Sequence, residues 1–361
     1  MSHLVRWLRG GALGTPLLLG FLAAAHAAAP DAMFLAPDPG LSIPRMKFTT
    51  GRAVDNKPEL FPMTPAIPGP VSGWTVTQWD QSHPLRPDAM ATNAPGTRDP
   101  GLGRAAYAFG TPADATHLWI YRRPGRAGGY VYELYQRDGI LRQGGKNLFL
   151  AAKATRPDFT MDHPLDYAVK VRLSRVALRY DTPAAARNGA VQGTVFSSFV
   201  FGLRPGTGLR HATIFLQIPI SGSHGGRSDY LSCRVAGRGV VVTANQDVPG
   251  QVILPFESDS GPPTALHQRV NQYLCALLTR LHRCQDGASL VPLPDQAAFD
   301  DLGNWRLESM YVGLETQATD MRPNSVSRRP QGTVAVALQV SDLRLRGLPS
   351  GEVARRNCGG G

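Results

Sequence analysis

Between Val71 and Gly347 the chain is a succession of short alternating runs, each closed by Gly, Pro or Asp, and this punctuation restricts the fold more than any other feature. The runs are GWTVTQWD, AAYAF (Ala105 to Phe109), HLWIYRR (His117 to Arg123), GYVYELYQ (Gly129 to Gln136), NLFLAAKA (Asn147 to Ala154) and DYAVKVRLSRVALRY (Asp166 to Tyr180). They continue as TVFSSFVFGL (Thr194 to Leu203), ATIFLQIPI (Ala212 to Ile220), YLSCRVA (Tyr230 to Ala236), RGVVVTA (Arg238 to Ala244), RLESMYVGLETQA and GTVAVALQVSDLRLRG. About a dozen strands without an intervening helical rhythm predict two packed antiparallel sheets. The high shares of glycine (39) and proline (30) agree with many turns.

One segment departs from period two. Leu266, Val270, Tyr273, Leu274, Leu277, Leu278 and Leu281 recur at helical spacing behind Pro262, Pro263 and a capping Thr264, which predicts a single amphipathic helix laid on the sandwich. Two of the four cysteines, Cys275 and Cys284, fall in or just after it. In a continuous helix they stand roughly 13 Å apart, beyond the about 7 Å that a bridge spans. Cys358 then joins either of them, or joins Cys233 with the others free. A bridge tying the C-terminal tail to the body is expected.

The N-terminus carries Arg6 and Arg9 before an apolar run, Leu13 to Ala25, that ends in Ala25-His26-Ala27. This pattern predicts a secretory signal over residues 1–27 and a secreted or periplasmic protein in which disulfides form. Residues 28–70 are proline-rich (Pro30, Pro37, Pro39, Pro44, Pro58, Pro62, Pro65, Pro68, Pro70) and are expected to run extended. The β-sandwich is expected over 71–348 and a short tail over 349–361. Nothing after the signal is long and apolar enough for a membrane span. Removal of Arg6 and Arg9 lowers the formal charge of +11 by two, to +9. Its basic residues are scattered rather than massed, and export separates the chain from nucleic acid, so the expected partner is a polysaccharide, an acidic one included.

No nucleotide loop, nucleophile elbow or zinc-ligand spacing occurs, and no cofactor or metal is expected; Asp295, Asp300 and Asp301 read as turn formers or caps. The chemistry-bearing residues sit instead on strands. In GYVYELYQ, Glu133 shares a face with Val131 and Tyr135, and an unpaired carboxylate buried there would cost several kcal/mol. In WRLESMYVGLETQ, simple alternation places Trp305, Leu307, Ser309, Tyr311, Gly313, Glu315 and Gln317 on one side, with Met310, Val312 and Leu314 on the other. One side reads as core and the other as an aromatic-lined groove. Gln217 interrupts an apolar strand, and the loop SGSHGGRSD brings His224 and Arg227 close behind it. Aromatic faces stack on sugars while amides, carboxylates and arginines take hydroxyls, and glycosidases set two carboxylates about 5 to 9.5 Å apart. Glu133 and Glu315 are therefore the expected catalytic pair, with Trp305, Tyr311, Gln217, Tyr135, Gln317, His224 and Arg227 as substrate contacts. The alternative is that both glutamates are paired with arginine in an ordinary sheet.

The strand MYVGLETQ and the closing strand VAVALQVSDLRL resemble the concanavalin A-like jelly roll of lectins, glucanases and polysaccharide lyases. The resemblance implies a mainly β, two-sheet antiparallel jelly-roll sandwich with one packed helix. It also implies a polysaccharide-binding or polysaccharide-degrading protein, in its enzymatic form a glycoside hydrolase using paired glutamates on the concave sheet. Glu133-Leu134, Gln217-Ile218 and Tyr311 to Gln317 are also similar, in the same order, to the strand blocks of alginate-lyase-like jelly rolls. That likeness implies a lyase on an acidic glycan, with Gln217 and Arg122 neutralising the carboxylate and Tyr311 or Tyr135 as base. A noncatalytic envelope or adhesion protein is the third expectation.

Overall fold

The computed structural model describes residues 33–34, 47–51, 59–61, 73–81, 83–125, 129–139, 147–187, 191–204, 211–223, 230–236, 239–258, 261–293, 296–318, 330–348 and 358, all within the unit Ala32–Gly361. The expected signal, most of the proline-rich segment, His224, Arg227 and the tail apart from Cys358 lie outside the described residues.

The strands are β1 (Met33–Phe34), β2 (Lys47–Gly51), β3 (Glu59–Phe61), β4 (Trp74–Trp79), β5 (Met90–Thr92), β6 (Arg98–Asp99) and β7 (Gly103–Arg104). Next come β8 (Tyr107–Phe109), β9 (Thr116–Arg122), β10 (Tyr130–Asp138), β11 (Asn147–Lys153), β12 (Leu165–Tyr180), β13 (Gln192–Leu203) and β14 (Ala212–Gly222). The remainder are β15 (Leu231–Ala236), β16 (Gly239–Asn245), β17 (Thr264–Arg269), β18 (Arg283–Asp286), β19 (Ser289–Pro292), β20 (Trp305–Gln317) and β21 (Gly332–Gly347). Every run expected to be a strand is one. Regular structure begins before Val71, because β1, β2 and β3 arise inside the proline-rich segment and join the sheets.

Sheet A is ordered β17-β12-β21-β10-β9-β8-β5 with β1 on β21, and sheet B is ordered β19-β18-β15-β16-β14-β13-β20-β11-β4-β2-β3. Most pairings are antiparallel, while β14–β16, β2–β4 and β15–β18 are parallel. The result is a two-sheet jelly-roll sandwich. Its interior is formed by the alternate apolar residues of both layers: Tyr132, Leu134, Val171, Leu173, Leu338 and Val340 from sheet A, and Val76, Leu150, Phe199, Leu216, Val312 and Leu314 from sheet B. The Ser197 hydroxyl donates to the Tyr167 Oη at 2.8 Å across the gap, so these two buried polar groups satisfy each other. A smaller apolar cluster, Ala105, Ala108, Trp119, Tyr121 and Val131, covers part of the opposite face of sheet A.

The helix is shorter than its apolar periodicity. Thr264–Arg269 pairs with β12 as an edge strand, and α2 covers only Val270–Leu278. Hydrogen bonding to β12 outweighs local helical preference there, since it satisfies a sheet edge. Two further helices are short, α1 (Pro183–Arg187) and α3 (Gln296–Asp300). Because α2 ends before Cys284, that residue reaches Cys233, and Cys275 on the helix reaches Cys358. The tail is thereby tied to the body across 83 residues of sequence. Replacement Cys358→Ser should reduce stability by about 2–4 kcal/mol, as loop-closure entropy predicts, with the fold retained; urea titration under non-reducing conditions measures it.

Candidate functional site

Strand β20 does not alternate uniformly. Its register against β13 slips between Val200↔Ser309 and Phe201↔Leu307, leaving Glu308 as an extra residue. The bulge turns Trp305 and Leu307 to the same side as Met310, Val312 and Leu314, the core. Trp305 is fully buried, donates its indole N–H to the Phe299 carbonyl at 2.9 Å and packs edge-on against the Phe299 ring. The expected sugar-stacking role of Trp305 is corrected accordingly: its ring is an interior anchor.

Beyond the bulge, Ser309, Tyr311, Gly313, Glu315 and Gln317 occupy the outer face of sheet B, the face turned away from sheet A. Strand register sets them in rows. Gln217, Ser198, Tyr311, Ala151 and Thr75 form one row across β14, β13, β20, β11 and β4. Pro219, Phe196, Gly313, Phe149 and Thr77 form the next. Thr194, Glu315, Asn147 and Trp79 form the third, and Gln192 faces Gln317 beyond it, bonded amide to amide at 3.1 Å. Strand spacings place Gln217 about 10 Å from Tyr311 and Tyr311 about 13 Å from Glu315 along the backbone.

The middle row is aromatic. Phe149 and Phe196 approach to 5.4 Å and Phe149 meets Tyr311 edge-on at 6.1 Å. Gly313 makes this possible, because a Cβ there would lie 2.2 Å from the Leu148 carbonyl oxygen and 2.7 Å from the Phe149 ring. Phe149 and Phe196 are 8 % and 4 % exposed yet belong to neither hydrophobic cluster. Ser309 Oγ donates to Tyr311 Oη at 3.3 Å. The structure therefore brings Gln217, Tyr311, Glu315 and Gln317 onto one face and adds Phe149, Phe196, Ser198 and Asn147. Alternation in NLFLAAK and TVFSSFVF shows that these have a common side within each strand, but only the pairing with β20 shows that it is the same side.

Glu133 lies elsewhere. It is on β10 in sheet A, opposite Trp119 and Gln339, on the face turned away from sheet B. The sandwich interior separates it from Glu315, so the expected catalytic pair is not formed. A second bulge, between Leu173 and Arg175 in β12, lets two consecutive side chains reach Glu133. Ser174 Oγ donates to its Oε2 at 2.9 Å, Gln339 Nε2 to the same oxygen at 2.8 Å, and Arg175 Nη2 to Oε1 at 3.0 Å. Gln339 also donates to Asp99 Oδ2 at 2.9 Å, which accepts from Arg172 at 2.6 Å. Tyr135 is no open stacking platform either: its ring lies against His117 at 4.4 Å and under the Arg175 guanidinium at 4.6 Å. Arg122, on β9 of sheet A, is likewise on the opposite sheet from Gln217.

Burial pushes the Glu133 pKa up, but contacts with His117 and Gln339 and the Arg175 charge outweigh it and hold the group at about 2. Burial also lowers His117, to about 4. Its Nε2 lies between Arg175 Nη2 at 2.9 Å and Glu133 Oε1 at 3.6 Å. Glu133 is thus a structural carboxylate shared by arginine, serine and glutamine. Each of these two groups takes up protons at lower pH when folded than when unfolded, so stability falls as the pH falls from 6.5 through about 4 for His117 and from 4.5 through about 2 for Glu133. Glu133→Gln should lose about 2 kcal/mol near neutral pH, since half-exposed Arg175 can return to water, and should flatten the acid limb of a urea-midpoint profile.

No family model and no curated protein matches the chain. Among solved structures it is similar to a cellulase derived from Cel12A of Rhodothermus marinus, at 11 % identity and TM-score 0.33, over 72 % of this chain and 95 % of that one. It is similar to the family 11 xylanase from Neocallimastix patriciarum, at 6 % identity and TM-score 0.30, over 67 % and 90 %. It is also similar to the xyloglucanase domain of NopAA from Sinorhizobium fredii, solved with cellobiose, at 7 % identity and TM-score 0.24, over 72 % and 100 %. At such identities no residue transfers, and the site stands on its own side chains.

Proposed function

We propose that the chain is an exported polysaccharide-binding protein whose glycan surface is the outer face of sheet B. The observation that carries this reading is the banding of that face. A row of aromatic rings, Phe149 and Phe196 with Tyr311 at its edge, is flanked by Gln217 and Ser198 on one side and Asn147 and Glu315 on the other. The half-buried Tyr311 ring takes an apolar sugar face, backed by the buried rings of Phe149 and Phe196, and half-buried Gln217, Asn147 and Glu315 take sugar hydroxyls. Export is supported by the N-terminal signal pattern and by two disulfides. Among the described residues no helix is long and apolar enough to cross a membrane.

Binding rather than hydrolysis is the form the face supports, because the described rows hold Glu315 and no second carboxylate within glycosidase spacing. One observation favours a second reading, lyase action on an acidic glycan. Tyr311 and Gln217 share a row with only Ser198 between them, so a phenol that could serve as base and an amide that could bind a carboxylate lie on the same face about 10 Å apart at the backbone.

A panel of neutral and acidic oligosaccharides titrated into the purified protein, with ultraviolet absorbance of unsaturated uronate recorded in parallel, tests both. Tyr311→Ala should weaken binding about tenfold, equivalent to ~1.4 kcal/mol, and Glu315→Gln by a smaller factor. Tyr311→Phe should keep most affinity if the ring only stacks. Product formation lost in Tyr311→Phe supports the lyase; absence of binding to every glycan rejects the assignment of this face.

A further inference from the structure

The row that holds Gln217, Ser198 and Tyr311 does not stop at β14. Asn245 on β16 stands beside Gln217 in parallel register, and its backbone N–H donates to the Tyr230 carbonyl at 2.9 Å, so Tyr230, immediately before β15, is the next position across. Alternation fixes the side. Leu231 and Cys233 of β15 and Ala244 of β16 pack into the interior, which turns Tyr230 and Asn245 to the outer face of sheet B. The result is one line of five side chains, Tyr230, Asn245, Gln217, Ser198 and Tyr311, drawn from five adjacent strands.

The line is open where a ligand needs it open. Tyr230 is 51 % exposed, so its ring is free to stack. Asn245, Gln217 and Tyr311 are half-buried, and buried Ser198 forms the floor between the last two. Asn245 Oδ1 has no hydrogen-bond partner, and the amide turns about a soft torsion, so a hydroxyl donor satisfies it.

Phe215, half-buried and two residues before Gln217 on β14, lies on the same face. It stands two strands from Tyr230 and two strands from Tyr311, about 10 Å each way, and about 7 Å off their row. Three aromatic rings therefore recur at every second strand, with two amides and a hydroxyl among them, and none of the six side chains is charged. Such a spacing suits a polymer better than a single sugar. Five strands span four intervals, about 19 Å along the sheet, and a pyranose unit is about as long as one interval. In a flat β-linked chain every second unit turns the same face to one side, so rings at every second strand meet equivalent sugar faces.

We propose that the glycan surface of sheet B extends across the strands from Tyr311 to Tyr230 and takes an uncharged, linear, β-linked polysaccharide, with about four units between the two tyrosines. This inference rests on the reading of that face as a glycan surface. Tyr311 and Tyr230 stack on units at the two ends, Phe215 supports one between them, and Asn245 and Gln217 take hydroxyls along the way.

Calorimetry on the purified protein tests it with β-1,4-linked oligoglucosides and oligomannosides of two to six units, and with a six-unit oligogalacturonide as the acidic probe. Affinity of the neutral chains should climb with length up to five or six units. Tyr230→Ala, at an exposed position, should weaken the six-unit chain about tenfold and the two-unit chain far less, whereas Tyr311→Ala should weaken both. Tyr230→Phe should keep most of the affinity, since the ring stacks. Affinity that is the same at every length, a length dependence untouched in Tyr230→Ala, or a preference for the oligogalacturonide overturns the inference while leaving the glycan face in place. No binding of any neutral or acidic oligosaccharide rejects the face, and the inference with it.

Discussion

Burial of one face of each long strand against the other sheet is the constraint from which the remainder of this structure follows. Strands β12, β13, β20 and β21 are 12 to 16 residues long, and each places a continuous apolar series in the shared interior. A slip of one residue would turn such a series out to solvent at about 25 cal/mol per Å² of apolar surface. Register is therefore firmly held, and the outer faces inherit their pattern from it. The rows of polar and aromatic side chains on sheet B are a by-product of a core that tolerates no slippage.

Bulges modulate this rule, and both important ones lie where side-chain placement matters. In β20 the extra residue lets Trp305 anchor the interior while Tyr311 and Glu315 still face outward. In β12 the extra residue directs Ser174 and Arg175 together to Glu133, which is only 3 % exposed. A carboxylate so buried is tolerated because both its oxygens accept hydrogen bonds from side chains that are themselves held, Gln339 by Asp99 and Arg175 by the Trp119 and Tyr135 rings. The same network explains why the outer face of sheet A can be both basic and stable along most of its length.

Much of the architecture was legible in the sequence. Period-two alternation closed by Gly and Pro identified the strands, and the signal-like pattern of the N-terminus led to the expectation of disulfides. A bridge from Cys358 to the body was expected, but its partner was open among Cys233, Cys275 and Cys284 until the end of α2 set Cys275 apart from Cys284. The helix was legible as an apolar stripe but not in extent, because Leu266 and Val270 serve equally well as alternate residues of a strand and as neighbours on a helix; pairing with β12 decided between them. Strands within the proline-rich segment escaped notice because each is only two to five residues long.

The candidate site shows the division most clearly. By itself the sequence determined which residues share a side within each strand: Tyr311 with Glu315 and Gln317, Phe149 with Asn147, and Glu133 with Tyr135. Only the tertiary structure decided that Glu133 and Glu315 belong to opposite sheets, that Trp305 points inward, and that Gln217, Tyr311 and Phe149 lie together. The physical reason is that periodicity is a local property of a strand. The partner strand, its register and any bulge are settled by hydrogen bonding and packing between segments far apart in the chain.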